Sequence, residues 1–146
     1  MSSIFDILNN QTLLNNQYGF NLSVGLIPHP DKKYKGGEDA FFLYNNNYCS
    51  AIGVADGVGG WAEQGIDSGI YSRQLLSHVY DYIHNWNGNN AELVLKKSLN
   101  YAKNSTKVLG SSTASVLLLN NGYLYTANIG DSGFLIIREN DIIYKS

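Results

Sequence analysis

Residues 36–60 of the chain read GGEDAFFLYNNNYCSAIGVADGVGG, and this stretch decides the fold. Two short apolar runs, AFFLY and SAIGVA, are separated by asparagines and bounded by Gly-Gly before and Asp-Gly after. Short apolar runs between turn-forming residues predict two buried strands joined as a hairpin. The hairpin would bring Glu38 and Asp39, which precede the first run, to the same sheet edge as Asp56, which follows the second.

Downstream of this hairpin, the spacing of apolar residues becomes that of helices. From about Asp67 to Trp86 apolar residues recur every three or four positions, which predicts a helix with one buried face. The residues of that face are Ile70, Leu75, Leu76, Val79, Tyr80 and Ile83. Asn89 and Glu92 resemble a capping box, which predicts a second helix that ends near the polar stretch KNSTK.

After Gly110 the pattern is that of strands, with the runs STASVLLL, YLYTANI, FLIIR and DIIYK separated by turns. Asn121 and Gly122 lie between the first two runs, and both tolerate the positive φ of a type I′ hairpin turn. We therefore predict a meander of four strands in this part of the chain. The order of two strands, two helices and four strands indicates an α+β fold, in which helices pack on one face of an antiparallel sheet.

Composition and charge exclude several classes of protein. Hydrophobic residues make up 44% of the chain, and no apolar run approaches the roughly 18 residues that a membrane span requires. The formal net charge is −2 and no basic stripe is present, so nucleic acid is not an expected partner. The single cysteine, Cys49, excludes an internal disulfide and a thiolate zinc cluster. We expect Cys49 to lie in the core or at a strand end.

The first 17 residues, MSSIFDILNNQTLLNNQ, contain neither lysine nor arginine. They match neither the charged start of a secretory signal nor an arginine-rich transit peptide. This segment therefore predicts no compartment.

Glu38, Asp39 and Asp56 form the first candidate site. Carboxylates gathered at one sheet edge repel one another, and a hard divalent cation such as Mg²⁺ or Mn²⁺ relieves the repulsion. The glycines after Asp56 leave the backbone uncovered, so the carbonyl of Gly57 could also be a ligand. The alternative is a glycine-rich turn beside a solvated acidic corner. The run GVADGVGG matches no nucleotide-binding loop.

A second candidate site is the run NIGDSG at 128–133, between two apolar strands. Asp131 would lie at a strand end with glycine residues close by on both sides. An Asx turn stabilised by the Asp131 side chain explains the same pattern without any ligand. Both interpretations stay open on this segment alone.

The segments GGEDAFF, GVADGVGGWAEQG, GSSTASVLLL and LYTANIGDSGFLIIR together resemble the signature segments of one family, in the same order. This is the type 2C (PPM) family of metal-dependent serine/threonine protein phosphatases, and the forms are similar to its mitochondrial and chloroplast branch. The resemblance covers about residues 24–146 as the N-terminal part of the catalytic domain, with residues 1–23 as an N-terminal extension. It implies a β-sandwich of antiparallel sheets with flanking helices.

The resemblance also implies roles for individual residues. Asp56 corresponds to the aspartate that bridges two Mg²⁺ or Mn²⁺ ions, while Glu38 and the Gly57 carbonyl correspond to further ligands. Asp39 matches the acid that hydrogen-bonds metal-bound water, so Asp56 and Asp39 are the expected catalytic residues. Asp131 corresponds to an aspartate that in some members helps to hold a third ion. The implied reaction is the hydrolysis of phosphoserine and phosphothreonine in proteins by a metal-activated water.

The chain departs from the family in two respects. Many members carry an arginine shortly before the glutamate, where it clamps the substrate phosphate, whereas this chain offers Lys33 and Lys35. The family's C-terminal half supplies two further metal-binding aspartates, and neither is found after Asp131. We therefore expect the domain to be incomplete at the C-terminus and inactive alone.

The incomplete acidic set leaves a second hypothesis open, in which the chain is a non-catalytic phosphoprotein-binding or regulatory module, a pseudophosphatase. In either case the expected partner is a phosphorylated protein. The full-length protein is expected to be an intracellular monomer, and the family resemblance alone suggests the mitochondrion.

Overall fold

The structure is a computed structural model that describes residues 18–146. The predictions made for residues 1–17, including most of the proposed extension, lie outside the described residues.

A four-stranded antiparallel sheet in the order β1-β2-β3-β4 forms the centre of the fold. Its strands are β1 (Asp39–Asn45), β2 (Ser50–Asp56), β3 (Ala114–Asn120) and β4 (Tyr123–Ile129). Both predicted hairpins are confirmed. In the first turn, the Asn46 side-chain oxygen accepts hydrogen bonds from the N–H groups of Tyr48 and Cys49, each at 2.8 Å. In the second, Asn121 and Gly122 have φ angles of 51° and 80°.

Two helices, α1 (Ser68–His84) and α2 (Ala91–Ser105), pack on one face of this sheet. Helix α1 begins at Asp67, whose carboxylate accepts a hydrogen bond from the N–H of Gly69 at 3.0 Å. The core lies between the helices and the sheet, and its larger aliphatic side chains are Leu75, Leu76, Val79, Ile83, Val94, Leu95, Leu99, Val116 and Leu118. The predicted α+β class is confirmed.

The predicted capping box of α2 is wrong. The N-cap is Asn90, which has a left-handed φ of 56°, and no side chain caps the helix. Asn89 belongs instead to the preceding loop, because its carbonyl accepts a hydrogen bond from the Trp86 indole N–H at 2.6 Å.

The first turn of α1 also differs from the prediction, because Ile70 is 46% exposed. The small residues Ser68, Gly69 and Ser72 are buried here instead. The Ser72 hydroxyl donates to the backbone carbonyl of Glu38 at 2.6 Å, so this turn packs against the chain that enters β1. Small residues that pack against backbone do not contribute to an apolar pattern. The pattern therefore placed Ile70 on the buried face of α1 instead.

Strands β5 (Leu135–Arg138) and β6 (Asp141–Lys145) form a separate two-stranded sheet. The predicted four-stranded meander is therefore wrong, since β3 pairs with both β2 and β4 whereas β5 pairs only with β6. The chain leaves β4 at Gly130, whose φ of 86° turns it away from the central sheet.

Two 3₁₀ helices that the pattern did not predict flank the first hairpin, Pro30–Lys35 before β1 and Gly59–Gln64 after β2. Each ends at a left-handed glycine, Gly36 and Gly65, with φ angles of 86° and 71°. Between residues 18 and 146, no helix combines the length and the apolar character needed to cross a bilayer.

Candidate active site

The start of β1 and the end of β2 bring three carboxylates to one edge of the central sheet. Asp39 and Asp56 are direct cross-strand partners, and the N–H of Gly57 donates to the carbonyl of Glu38 at 3.1 Å. The side chain of Asp56 is exposed, that of Asp39 is half-buried and that of Glu38 is buried. The hairpin geometry expected from the sequence is therefore present.

The close pairing of these acids is visible in the electrostatics of Asp39. Its pKa is raised, first because the side chain is partly buried, and next because of the neighbouring charge and hydrogen bond of Asp56. The charge of Glu38 acts in the same direction, and Lys32 opposes it. A nearby positive charge would therefore stabilise the ionised form of Asp39.

Glu38 is held by two lysines from the 3₁₀ helix that precedes β1. The Lys32 ammonium contacts one carboxylate oxygen, and Lys35 lies 3.4 Å from the other. Burial by itself raises the pKa of Glu38, but the hydrogen bonds and charges of Lys32 and Lys35 outweigh it, so the net pKa is lowered. Glu38 is therefore ionised at neutral pH and already carries two cationic neighbours.

Lys35 also joins the site to the beginning of α1. Its ammonium lies 3.1 Å from the Asp67 carboxylate, and this hydrogen bond is the main reason why the pKa of Lys35 is raised. Arg73 approaches Asp67 at 3.7 Å and donates to the carbonyl of Gly37 at 3.2 Å. These ion pairs fix the chain around Glu38 against α1.

We expect Asp39→Asn to stabilise the metal-free protein at pH 7. The folded-state pKa of Asp39 lies above its unfolded value, so the favourable contribution is present at low pH and is lost as the pH rises through the folded pKa. Asparagine removes the carboxylate that disfavours folding at neutral pH, with a gain below about 1 kcal/mol because Asp39 is only half-buried.

Urea unfolding in the presence of a chelator measures this effect. The advantage of Asp39→Asn over wild type should shrink as the pH falls toward about 3, where aspartate is mostly protonated in both states. A variant less stable than wild type at pH 7 would contradict the electrostatic account of Asp39.

The glycine-rich loop after β2 is packed more tightly than the sequence suggests. A Cβ on Gly57 would lie 2.6 Å from the carbonyl oxygen of Glu38 and 2.8 Å from that of Ser68. The loop continues into the second 3₁₀ helix, where the Trp61 indole N–H donates to the Ser111 hydroxyl at 2.8 Å. Glycine at position 57 is therefore required by backbone packing, in addition to any role of its carbonyl as a ligand.

Hydroxyl residues before β3 hold the backbone of Asp56, and sequence reasoning missed them. The Ser112 hydroxyl donates to the Asp56 carbonyl at 2.9 Å, and the N–H of Thr113 donates to the same carbonyl at 2.9 Å. The Thr113 hydroxyl accepts a hydrogen bond from the Asp56 N–H at 2.9 Å. The segment SST at 111–113 carried a signal that could have been used, since hydroxyl residues leading into a predicted strand often bind neighbouring backbone.

The turn that contains Asp131 contacts the site through the next residue, Ser132. Asp131 itself is exposed, whereas the Ser132 hydroxyl lies 2.5 Å from the Thr113 hydroxyl. Ser132 lines a cleft of about 200 Å³ together with Asp39 and Asp56. The structure thus brings the predicted turn to the carboxylate pair, with Ser132 as the residue that lines the cleft.

The two lysines predicted to bind phosphate differ in their surroundings. Lys33 is exposed, and no carboxylate of residues 18–146 is paired with it. Lys35 is largely buried between Glu38 and Asp67. Lys32, which the sequence pattern did not single out, points to the Glu38 carboxylate at the mouth of the site.

The donor set suits a hard divalent cation, although no cluster is assembled. Within the described part of the chain, no group of three histidine, cysteine, aspartate or glutamate side chains is arranged to hold a metal ion. The Asp39 and Asp56 carboxylates do provide oxygen donors from adjacent strands, and the raised pKa of Asp39 shows that negative charge is unfavourable there. The two residues therefore fit a Mg²⁺ or Mn²⁺ ion, while Glu38 is turned toward the lysines.

The other reactive side chain types lie away from these acids. His78 and His84 are in α1, where they pack edge-on or stacked against Tyr101 and Tyr80 with ring centroids 6.0 and 5.8 Å apart. Cys49 is buried at the start of β2, and burial raises the pKa of its thiol to about 11. These environments support packing roles for His78, His84 and Cys49.

Comparison with known proteins identifies what this arrangement is similar to. The family model described as "Protein phosphatase 2C" matches residues 51–145. "Probable protein phosphatase 2C 55" of Arabidopsis thaliana is 45% identical over 120 residues, which are 82% of this chain and 25% of the relative. "Protein phosphatase PTC7 homolog fig" of Drosophila virilis is 38% identical over 122 residues, which are 80% of this chain and 38% of the relative.

A solved structure shares the fold over the same region. The chain titled "X-ray structure of the photosystem II phosphatase PBCP" matches with a TM-score of 0.71 and 34% identity. The match covers 82% of this chain and 46% of that one, so the present chain spans less than half the length of the relatives described here. Because the family model covers most of the chain, and the fold agrees, the chain belongs to the protein phosphatase 2C family.

Proposed function

We propose that this chain is part of a protein phosphatase that hydrolyses phosphoserine and phosphothreonine with the help of Mg²⁺ or Mn²⁺. The observation that carries the proposal is the cross-strand pairing of Asp39 and Asp56 beside Glu38, in a member of the protein phosphatase 2C family. Three acids gathered at one sheet edge are costly unless a cation or a proton compensates them.

The proposed roles follow the positions of these residues. Asp56, Glu38, the Gly57 carbonyl and Asp131 would hold the ions, two in number with a possible third at Asp131. Bound divalent cations would neutralise the carboxylates, orient the phosphoryl group and activate the attacking water. Glu38 would have to exchange its contact with Lys32 for a metal contact.

Asp39 is proposed as the residue that orients the attacking water and accepts its proton. Its carboxylate faces Asp56, and its raised pKa makes it a better proton acceptor than an ordinary aspartate. The side chain is only half-buried, so a water molecule can reach it.

A lysine is proposed to attract the substrate phosphate. Lys33 and Lys35 are the positions suggested by sequence, and the contacts of Lys32 add a third. Once a metal ion balances Glu38, the Lys32 ammonium is the group best placed to turn toward a phosphate, whereas Lys35 keeps Asp67 as a partner. A phosphorylated protein is accordingly the proposed partner; a monomeric state and an intracellular compartment stay predictions of the sequence.

A second candidate function is a non-catalytic module that binds phosphoproteins. Two observations favour it: residues 18–146 contain no assembled cluster of three metal-binding side chains, and Glu38 is already neutralised by lysines. Such a module would bind phosphate through these lysines and would not hydrolyse it.

Hydrolysis of a phosphothreonine peptide with and without Mn²⁺ separates the two functions. The assay should be run on this chain and on a version extended to the full length of its relatives. Activity of the extended protein that depends on Mn²⁺ and is lost with a chelator supports the enzyme. Tight binding of the phosphopeptide without turnover, by folded protein of both lengths, would replace it with the binding module.

The same assay tests the lysines. Lys32→Met is expected to raise KM for the phosphopeptide, and Lys96→Met, which removes an exposed ammonium on α2, is the matched control.

A further inference from the structure

The Thr113 side chain connects the end of β2 to the turn that contains Asp131. Its hydroxyl accepts the N–H of Asp56 at 2.9 Å and lies 2.5 Å from the Ser132 hydroxyl. Its methyl group packs on Gly130, where a Cβ would approach the methyl carbon to 2.8 Å. Thr113 is 9% exposed, so these contacts are made in a nearly closed environment.

The hydroxyl takes the place of a backbone acceptor at this point of the sheet. The regular β2–β3 pairing ends at Val54 and Ser115, and an isolated bridge joins Gly57 and Ser112 further along. Between the two, the N–H of Thr113 donates to the Asp56 carbonyl at 2.9 Å. In a regular antiparallel pair the Asp56 N–H would bind the Thr113 carbonyl in return. It binds the Thr113 hydroxyl instead, and the Asp56 and Thr113 carbonyls lie 2.9 and 2.8 Å from the Ser112 hydroxyl, whose one hydrogen they share.

The β-ladder does not fix the turn against β2. The pairing of β3 with β4 ends at Ala114 and Ile129, and the chain then leaves the sheet at Gly130 with a φ of 86°. Beyond that point, three contacts join the turn to the sheet: the hydroxyl contact between Thr113 and Ser132, the packing of the Thr113 methyl on Gly130, and the Asn128 side-chain amide, which donates to the Ser132 carbonyl. Of these side chains, Thr113 is the one that also binds the backbone of Asp56.

We propose that Thr113 is a positioning residue, whose hydroxyl holds Asp56 and the Asp131–Ser132 turn in a fixed relative placement at the edge of the proposed metal site. This inference rests on the proposed function in so far as Asp56 and Asp131 are taken as ligands. The Thr113 hydroxyl touches neither substrate nor metal in this role, and it acts through the backbone of Asp56 and the side chain of Ser132.

Two substitutions separate the hydroxyl from the methyl group. Thr113→Val keeps the shape and the contact with Gly130 but removes the hydroxyl, whereas Thr113→Ser keeps the hydroxyl and removes the methyl. Mn²⁺ affinity, measured by calorimetry on the protein extended to the length of its relatives, should fall about tenfold or more in Thr113→Val. Thr113→Ser should stay within about twofold of wild type, because the hydrogen-bonded positioning is retained.

Amide hydrogen exchange in the metal-free protein gives a second measure that needs no bound ion. In Thr113→Val the amide of Asp56, which loses its acceptor, should exchange about tenfold faster or more, with amides of the α1 core unchanged. In Thr113→Ser the Asp56 amide should exchange like that of wild type. Unchanged exchange in Thr113→Val, or equal acceleration in Thr113→Ser, would overturn the proposal.

The two measurements also distinguish this inference from the proposed function. If wild type binds no Mn²⁺, the metal-dependent function fails, and the exchange data still decide whether the Thr113 hydroxyl holds Asp56. If wild type binds Mn²⁺ and Thr113→Val binds it equally well, the function survives and Thr113 is not a positioning residue for the metal site.

Discussion

Replacing Asp56 with alanine, in a version extended to the length of the relatives, is expected to reduce the proposed phosphopeptide turnover below about a tenth of wild type, an increase of more than about 1.4 kcal/mol in the barrier. Asp56 ends β2 opposite Asp39, and its exposed carboxylate is the proposed ligand shared between two ions. Without it, neither the metal ions nor the attacking water would keep their placement.

Loss of fold should not account for this effect. The Asp56 backbone supplies the contacts with Ser112 and Thr113, whereas its carboxylate raises the pKa of Asp39 by repulsion, so removing the carboxylate relieves an unfavourable interaction. Turnover and the urea midpoint should be measured together. Asp81→Ala, which removes an exposed acid near the other end of α1, is the matched control and should keep full activity. Asp56→Ala activity above a tenth of wild type would remove Asp56 from the proposed centre.

Gly57→Ala is expected to lower the free energy of unfolding by about 1–3 kcal/mol, the usual cost of overpacking. The added methyl group would meet the backbone carbonyls of Glu38 and Ser68 at 2.6 and 2.8 Å. Backbone atoms cannot rotate away as a side chain can, so the strand end, the start of β1 or the start of α1 has to move. Because Glu38 and Asp56 flank this contact, metal affinity should fall together with stability.

Gly60→Ala is the matched control, three residues further along the same loop. A Cβ at Gly60 would meet no atom within 4 Å, so its effect on stability should stay within about 0.5 kcal/mol. Urea unfolding of both variants checks the difference. Equal stability of the two variants would show that the space between Gly57 and the Glu38 carbonyl can accept a methyl group.

Local patterns were sufficient to predict the strands and the two α-helices, but not the two 3₁₀ helices. The apolar runs bounded by Gly-Gly, asparagines and Asp-Gly predicted β1 and β2, and the Asn121-Gly122 pair predicted the hairpin between β3 and β4. These features depend on the backbone preferences of adjacent residues, which a sequence states directly.

The arrangement of strands depended on contacts that the pattern does not contain. The sequences of 135–138 and 141–145 do not indicate that these two strands pair only with each other. Their separation from the central sheet follows the left-handed turn at Gly130. The burial of small residues at the start of α1 was missed for a related reason, since Ser68 and Gly69 pack on backbone and leave no apolar signal.

In the candidate site, too, features set by adjacent residues could be predicted, and features set by distant contacts could not. The meeting of Glu38, Asp39 and Asp56 followed from the hairpin alone, since strand ends joined by a short turn share an edge. The Lys32 contact could not be predicted, because it depends on the 3₁₀ helix that turns this lysine back toward Glu38. The proposed role of Thr113 depends on its side-chain hydroxyl, which takes the place of its backbone carbonyl as the acceptor of the Asp56 N–H. The sequence shows that hydroxyl residues are present but does not show this replacement.

We expect the turn between β1 and β2 to tolerate insertions and deletions poorly. Exposed hairpin turns usually accept changes of length, but here Asn46 locks the turn and the register that follows places Asp39 opposite Asp56. One residue more or fewer at 46–49 would shift that register, pair Asp39 with a neighbour of Asp56 and turn side chains to the opposite face. We therefore expect related sequences that keep these acids to keep the length of this turn, although it lies at the far end of the strands.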